Sequence, residues 1–500
     1  TLTAPGGVQV GNAVMTGDLI VNGSLQLDGA DIGGLLRQRG ATAVLGGSVA
    51  AGTIDVDAGS ISANGLNART GDLLLRSAAG LSINGARAAG SALLDAGVGD
   101  LVVSDIVAQG PISAFGRNIS LGSSGAVTIA DALASGNVLL NAAGLLAVTG
   151  QVSGQAVTIG SSDIVIGANG RVHAAGLLRF NALGDAAIGG GDVAGYSLSM
   201  AELGRVSASD IAVAGAGNVV VRDLTIGTGL LPGSGVLSIG AAGLLRVQGA
   251  VALTGRSGQG GLTLSAGQAV QVIAGQGSID ISDANGELGG VLSIDAPSIY
   301  AATLAAIADV QAARSLGARE LRLAQSDGLA LDAGMLRAGA IRLAASDGVY
   351  IQNSGLSTDF ADRRGFTANS LTIISGTGRP QIAINGRLAI GGGLFATGLN
   401  TIPLVAIDGR YAAGSKINGC FIGAGASCTG ISVDNRDTFD GLLDPAVSVT
   451  RTFPLALIQL RDIVTQGFPP LIDEPVTGAG NEDLWDRPCG EPGKEVCAAQ

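Results

Sequence analysis

The sequence predicts an all-β chain, a right-handed parallel β-helix whose coils of about 20 residues stack as a solenoid. Three observations lead there. Small side chains dominate, with 83 Gly in 500 residues and only 3% aromatics. Short strand patterns alternate with turn formers through residues 1–390. Blocks of sequence return at a displacement of 20, or close to a multiple of it.

Composition sets the frame. Gly stands at more than twice its usual share of ~7%. Hydrophobic residues still make up 47% of the chain, which separates it from disordered sequences of low hydrophobicity. A compact globule draws much of its core volume from aromatic and long aliphatic side chains. Here the apolar surface is mostly Ala, Val, Leu and Ile in short pieces. Collagen is excluded, because no strict Gly-X-Y period exists and Pro numbers only 13. The lack of any long apolar run free of charges and turn formers argues against a membrane-spanning helix.

The strands are legible individually. Ser278-Ile-Asp-Ile-Ser-Asp283 alternates apolar and polar residues, the period of a strand with one buried face. Asp72-Leu-Leu-Leu-Arg-Ser77, Ala126-Val-Thr-Ile-Ala-Asp131 and Asn218-Val-Val-Val-Arg-Asp223 carry continuous apolar runs, as strands buried on both faces do. Helical spacing is confined to Leu304, Ile307 and Val310, in an Ala-rich stretch with room for a turn or two of helix.

The repeats decide how the strands assemble. Leu321-Arg-Leu-Ala-Gln-Ser-Asp-Gly328 is answered by Ile341-Arg-Leu-Ala-Ala-Ser-Asp-Gly348, one repeat further on. Ala142-Ala-Gly-Leu-Leu-Ala-Val-Thr-Gly150 returns as Ala241-Ala-Gly-Leu-Leu-Arg-Val-Gln-Gly249, displaced by 99. Units of this length bury their apolar faces only by stacking on neighbours. A leucine-rich repeat would show L-x-x-L-x-L with a fixed Asn or Cys, and no such consensus appears. A parallel β-helix needs short strands, tight corners and small residues at the bends, and Gly, Asn and Asp supply the corners. Coils of ~20 residues over about 390 residues of the rod, which is taken to span residues 1–400, would give roughly 19 turns, a rod on the order of 90 Å long.

Beyond residue 400 the composition shifts. Eight of 13 Pro fall in the last 100 residues, and seven of nine Phe lie from Phe360 onward. A solenoid end exposes backbone groups and an apolar cross-section that need covering. Residues 401–470, with Cys420 and Cys428, are expected to form a C-terminal cap. Residues 471–500 carry seven acids against two bases and are expected to form an extended tail, holding the single Trp485 with Cys489 and Cys497. Both cysteine pairs are spaced i, i+8, which suits local disulfides in an oxidising compartment. Zinc would need closer spacing or His neighbours.

Charge narrows the partners. The net charge is −12, and the cations are 26 Arg and 2 Lys, scattered mostly singly. Nucleic acid, which needs clustered cations, is a poor partner for such a chain. One His, His173, leaves most acid–base chemistry without its usual residue. Gly227-Thr-Gly229-Leu-Leu-Pro-Gly233 and Gly215-Ala-Gly217 resemble phosphate loops only as far as abundant glycine dictates. Gly189-Gly-Gly-Asp192 is a single copy of what a calcium-binding β-helix repeats in tandem. The stacked Ser326-Asp327-Gly328 and Ser346-Asp347-Gly348 read as solvated turns, with an incidental cation site as the alternative. Asp359-Phe-Ala-Asp362-Arg363-Arg364, the densest mixed-charge cluster, reads as a protruding loop. No catalytic residue, cofactor or metal site is assigned, and the chain is expected not to be an enzyme.

The Gly/Ala/Ser-rich strands in ~20-residue coils resemble the passenger rods of filamentous-haemagglutinin-like adhesins exported by two-partner secretion. The resemblance covers residues 1–390, and the ending Glu474-Pro-Val-Thr-Gly-Ala-Gly-Asn-Glu-Asp-Leu-Trp485 is similar to the close of such proteins. The family's amino-terminal secretion domain, with its Asn-Pro-Asn type motif, is missing. The chain is expected to be the C-terminal part of a longer polypeptide; the alternative is that the resemblance is one of shared architecture only. Some members carry a C-terminal cysteine loop that holds the chain at its outer-membrane transporter. Cys489 and Cys497 resemble that loop, with Trp485 beside it, and together they are the anchor candidates. The resemblance implies a non-enzymatic adhesin rod, secreted or exposed on the surface of a Gram-negative bacterium. Its implied partners are the transporter and cell-surface glycans or proteins. The alternatives are a structural subunit that self-associates into an extracellular filament, and a polysaccharide-active β-helix enzyme.

Overall fold

The computed structural model describes residues 2–4, 7–191, 193–272 and 278–300, then only the backbone of strands between residues 316 and 421. Side chains are described within residues 4–297 of that set. The described chain is almost entirely β, and its strands pair in parallel, apart from one short antiparallel pair and one antiparallel bridge. A four-residue helical turn, Met200–Leu203, is the only α-helix among the described residues. The chain divides into two compact units, residues 1–217 with 229–231, and residues 218–228 with 232–500.

In the first unit the pairing partner of each strand lies one turn further along the sequence. One inward column runs Val21, Gln38, Val56, Leu75, Leu94, Ala114, Ala132, Val152, Val172, each member a full turn after the last. A second runs Val10, Leu27, Leu45, Ala63, Ile83, Val103, Leu121, Leu140, Ile159, Phe180. A third includes Ala30, Val49, Leu66, Ala86 and Ile106. A single long strand, Thr53–Ala68, passes through all three columns. Each turn thus supplies three strand segments, and each column buries like on like at the strand spacing of ~4.8 Å. Full burial of one such Val, Leu or Ile contributes about 1.5–3 kcal/mol. Aromatic volume is unnecessary because the core is a stack of thin layers.

Gln38 interrupts the first column. It is fully buried between Val21 and Val56, and its amide nitrogen donates to the carbonyls of Gly23 (2.8 Å) and Thr42 (3.4 Å). Its Oε1 has no partner among the described residues. One orphan acceptor of this kind costs about 1–3 kcal/mol.

Corners are tied by a recurring device. An Asp or Asn accepts a backbone N–H from the next turn: Ser91 donates to Asp72 (2.8 Å), Ser124 to Asp105 (2.7 Å), Asn137 to Asn118 (2.9 Å) and Gln151 to Asp131 (3.0 Å). The second unit repeats it, with Ala250 donating to Asp223 (3.0 Å). Gly90 precedes the donor Ser91, and a Cβ there would lie 2.2 Å from the Asp72 carboxylate. Glycine is what lets the carboxylate reach the backbone.

The continuous apolar runs are not buried on both faces. Leu73–Ser77 and Val219–Val221 alternate buried with half-buried residues, so Leu74 and Val220 face outward. The interior takes every second residue, and the outward aliphatics cover their neighbours on the sheet surface.

The spacing also departs from a fixed 20. Val172 pairs with Val206, a displacement of 34, because an excursion lies between the Arg171–Ala182 and Val206–Gly215 strands. In the second unit, Val236 pairs with Gly261 and Gly261 with Val291, displacements of 25 and 30. Extra residues sit in longer turns such as 254–260 and 282–290. The step of 20 returns where Leu321 pairs with Ile341 and Leu323 with Leu343, the repeated block stacked on itself in register. Fewer turns therefore fit the chain than a uniform step gives. Leu404–Val405, Gly409–Arg410 and Lys416–Ile417 continue the parallel pairing, and Cys420–Phe421 turns back antiparallel on Lys416–Ile417. The helical spacing at Leu304, Ile307 and Val310 falls outside the described residues.

Within the first unit the excursion closes a sheet edge. Ser199 caps the Met200–Leu203 turn in a capping box with Glu202. The buried Glu202 carboxylate accepts from Ser199 N–H (2.9 Å), Ser199 Oγ (2.8 Å) and the Ile166 N–H (2.9 Å). Arg205 donates to the Ile166 carbonyl. Side chains thereby satisfy the backbone groups that a further strand would otherwise pair. Glu202→Gln places an NH₂ group where a carboxylate oxygen now accepts, and is expected to cost about 1–3 kcal/mol, read as a lower denaturant midpoint.

Candidate functional site

Period-2 alternation in Leu35–Leu45 turns Leu36 and Gln38 inward and Arg37 and Arg39 outward. Register then sets Arg37 beside Asp55 and Arg39 beside Asp57 on the Thr53–Ala68 strand. Asp57 in turn lies beside Arg76, and Arg76 beside Asp95. The outward column therefore reads Arg39, Asp57, Arg76, Asp95, alternating in sign at every strand. The next two turns of the same column carry Phe115 and Leu133, both half-buried. Three guanidinium groups stand against three carboxylates once Arg37 and Asp55 are included, so the group is balanced.

Asp55 is the centre of the group, its side chain only 7% exposed. Its Oδ2 accepts from Arg37 Nε (3.1 Å) and Arg39 Nη2 (2.7 Å), while Oδ1 faces Arg76 Nη1 at 3.7 Å. Burial pushes the carboxyl up, but the hydrogen bonds and charges of Arg39 and then Arg37 outweigh it, so it is held below the usual carboxylate range. Asp55 is an ion-pair anchor with no proton to give near neutral pH. Because its folded pKa lies below its unfolded one, its stabilisation is present above about pH 4 and is lost as pH falls through the folded value. Asp55→Asn is expected to cost about 1–3 kcal/mol at neutral pH, the solvent around the arginines screening part of the loss. Thermal melts across the acid range check both points: the substitution should flatten the fall in stability below about pH 4.

A second pair lies at the surface, partly exposed. Arg117 clasps Asp100 through Nε (2.9 Å) and Nη2 (2.8 Å), and Asn118 Nδ2 donates to the same carboxylate (2.9 Å). The Arg117 hydrogen bond, then that of Asn118, bring Asp100 down to about 2. Inside the excursion, Tyr196 is buried and its hydroxyl has no hydrogen-bond partner among the described residues. Burial, then the charges of Glu202 and Asp163, push the phenol well above its ordinary value and keep it protonated.

Among the described residues, those singled out in the sequence do not converge. His173 is exposed on the Arg171–Ala182 strand, its Nδ1 2.9 Å from Ser207 Oγ. The Gly227–Gly233 loop forms a turn whose Leu231 is buried. Gly328 and Gly348 pair in register, while Ser326, Asp327, Ser346 and Asp347 carry no described side chain. Asp192, the Asp359–Arg364 cluster, Cys428, Trp485, Cys489 and Cys497 lie outside the described residues; Cys420 is described only as strand backbone. Among the described residues no group of three or more His, Cys, Asp or Glu could hold a metal ion, and no helix is long and apolar enough to cross a membrane. The linear sequence hides the charged column because its members lie a full turn apart; a search for Arg and Asp at the repeat spacing would find it.

No protein-family model matches the chain, and neither a curated protein nor a solved structure is similar to it.

Proposed function

We propose that the chain is a right-handed parallel β-helix serving as the C-terminal part of a non-enzymatic adhesin rod, with residues 401–470 as cap and 471–500 as tail. The supporting observation is the turn-on-turn stacking of the first unit, which repeats one outward face many times. Repetition of that kind suits contact with extended partners such as surface glycans or proteins, where many weak contacts add up. Within it, the column from Arg39 to Leu133 offers guanidinium donors beside a half-buried aromatic, the residue types enriched at recognition surfaces. Export through an outer-membrane transporter fits the same architecture, since contacts between neighbouring turns let folding proceed as the chain emerges. A Cys489–Cys497 loop would then hold the tail, with Trp485, at the pore.

Two measurements test this. Purified chain should bind a panel of cell-surface glycans or intact cells, and Phe115→Ala with Arg76→Ala should weaken that binding without lowering stability by more than about 1 kcal/mol. Cys489→Ser with Cys497→Ser should release the chain from the cell surface into the medium. Absence of binding to any surface, or undiminished retention, counts against the corresponding part.

A filament subunit is the second reading. It draws on the Val8–Met15 strand, whose only described partner is Leu25–Ile32, and on Val14, which is 86% exposed there. Periodic polymers in electron micrographs would favour it over isolated rods.

A further inference from the structure

We propose that Asn285 is a self-modification site, converted by spontaneous deamidation, and that a ladder of asparagines shields Asn64 and Asn84 from the same reaction. All three precede a glycine, and the three glycines share a left-handed backbone: Gly65 at φ 73°, Gly85 at 87° and Gly286 at 81°. Gly85 and Gly286 are also alike in their surroundings, with open space where a Cβ would be. The two sites are a matched pair that differ in how the preceding carboxamide is held.

Asn84 is held at both ends. Its Nδ2 donates to Asn64 Oδ1 (3.2 Å), and its Oδ1 accepts from Ser104 Oγ (3.0 Å). Asn64 Nδ2 continues the ladder by donating to the Gly46 carbonyl (3.3 Å). The amides therefore point along the stack of turns. Asn285 sits instead at the exposed tip of a hairpin closed by the Ser282–Leu288 bridge. Its carboxamide makes one long contact, from Nδ2 to Asp283 Oδ2 at 3.4 Å.

The reaction needs only water. The backbone nitrogen of Gly286 attacks Cγ of Asn285, closing a five-membered imide. The C–N bond of the carboxamide breaks, the proton lost by the Gly286 nitrogen passes to the leaving nitrogen, and ammonia departs. Water then opens the ring to aspartate or isoaspartate. Attack requires a free carboxamide and a backbone nitrogen able to approach it. The Gly286 N–H is held by the Asp283 carbonyl at 3.2 Å, a longer bond than those at two other steps with an exposed asparagine, Asn22–Gly23 and Asn169–Gly170. Gly23 N–H donates to the Arg39 carbonyl (2.8 Å) and Gly170 N–H to the Gly167 carbonyl (2.9 Å). A Cβ at either of those glycines would also press on a neighbouring carbonyl oxygen, at 2.6 Å and 2.5 Å. The product at residue 285 adds a negative charge between Asp283 and Glu287, which loosens the turn by like-charge repulsion.

The test is incubation of the intact chain at mildly alkaline pH, with peptide mapping by mass spectrometry for conversion of each Asn. Asn285 should convert about tenfold faster than Asn84 or Asn64, because the ladder bonds must break before either can react. Ser104→Ala should raise the rate at Asn84, with Asn285 unchanged as the internal reference. In the denatured chain the three sites should converge. Equal rates in the folded protein, a silent Asn285, or the same ranking after denaturation would overturn the proposal.

Discussion

Replacing Phe180 with alanine should cost about 3–5 kcal/mol. Phe180 is fully buried, on the Arg171–Ala182 strand, with Ile159 one turn before it and Val213 one turn after. The column above and below is aliphatic, so no neighbouring ring can move in to fill the space. The loss combines the transfer energy of the removed ring with the cavity it leaves. In a stack where each turn rests only on its neighbours, the damage should be local first. Limited proteolysis should open the chain around residues 155–215 before the earlier turns. Phe180→Leu keeps much of the volume and should cost about 1–2 kcal/mol. Denaturant titration of the two variants checks the order; a Phe180→Ala variant as stable as the parent would mean that the column is not a packed core.

Gly47→Ala should be nearly as damaging, at about 3 kcal/mol or more. A Cβ on Gly47 would lie 1.7 Å from the carbonyl oxygen of Asp28 and 2.8 Å from its carbon. Both are backbone atoms of the adjacent turn, so no side chain can rotate out of the way. The neighbouring Gly46 is an internal control. A Cβ there would lie 3.7 Å from the Leu27 carbonyl oxygen, its nearest contact and an ordinary van der Waals distance. Gly46→Ala should therefore change stability by no more than about 0.5 kcal/mol. Thermal melts of the two adjacent variants separate close approach between turns from any general intolerance of alanine in that bend.

These two positions also show what can be read from the chain and what cannot. The stacking is legible because a column demands similar residues at equivalent places, and Leu321-Arg-Leu-Ala and Ile341-Arg-Leu-Ala satisfy that demand so closely that they pair residue for residue. The two copies Leu145–Val148 and Leu244–Val247 likewise form strands whose second and fourth residues are buried. Length variation is not legible. Gly189-Gly-Gly-Asp192 reads as a lone copy of a calcium-binding repeat, whereas Gly189 and Gly190, at φ 79° and 60°, belong to the excursion that carries Ser199 and Glu202 to Ile166. Contacts across turns are hidden for a different reason. Arg37, Asp55 and Arg76 are neighbours only through register, and single-residue differences in turn length decide which charge meets which. The densest charge cluster in the linear sequence, Asp359–Arg364, stands out because its members are adjacent in the chain, which says little about what a parallel stack brings together.

The most direct test of the stacking is a pair of deletions in the first unit. Leu73 and Ala92 occupy equivalent places in successive turns, so removing residues 74–92 joins Leu73 to Leu93 and keeps every later column in register. Removing residues 74–83 takes out about half a turn and puts later residues out of phase with the columns before them. Far-UV circular dichroism with thermal melting should show the whole-turn deletion retaining a cooperative β-rich fold, and the half-turn deletion losing it. Equal tolerance of both deletions, or collapse of the whole-turn variant alone, would contradict a fold built by laying one turn on the next.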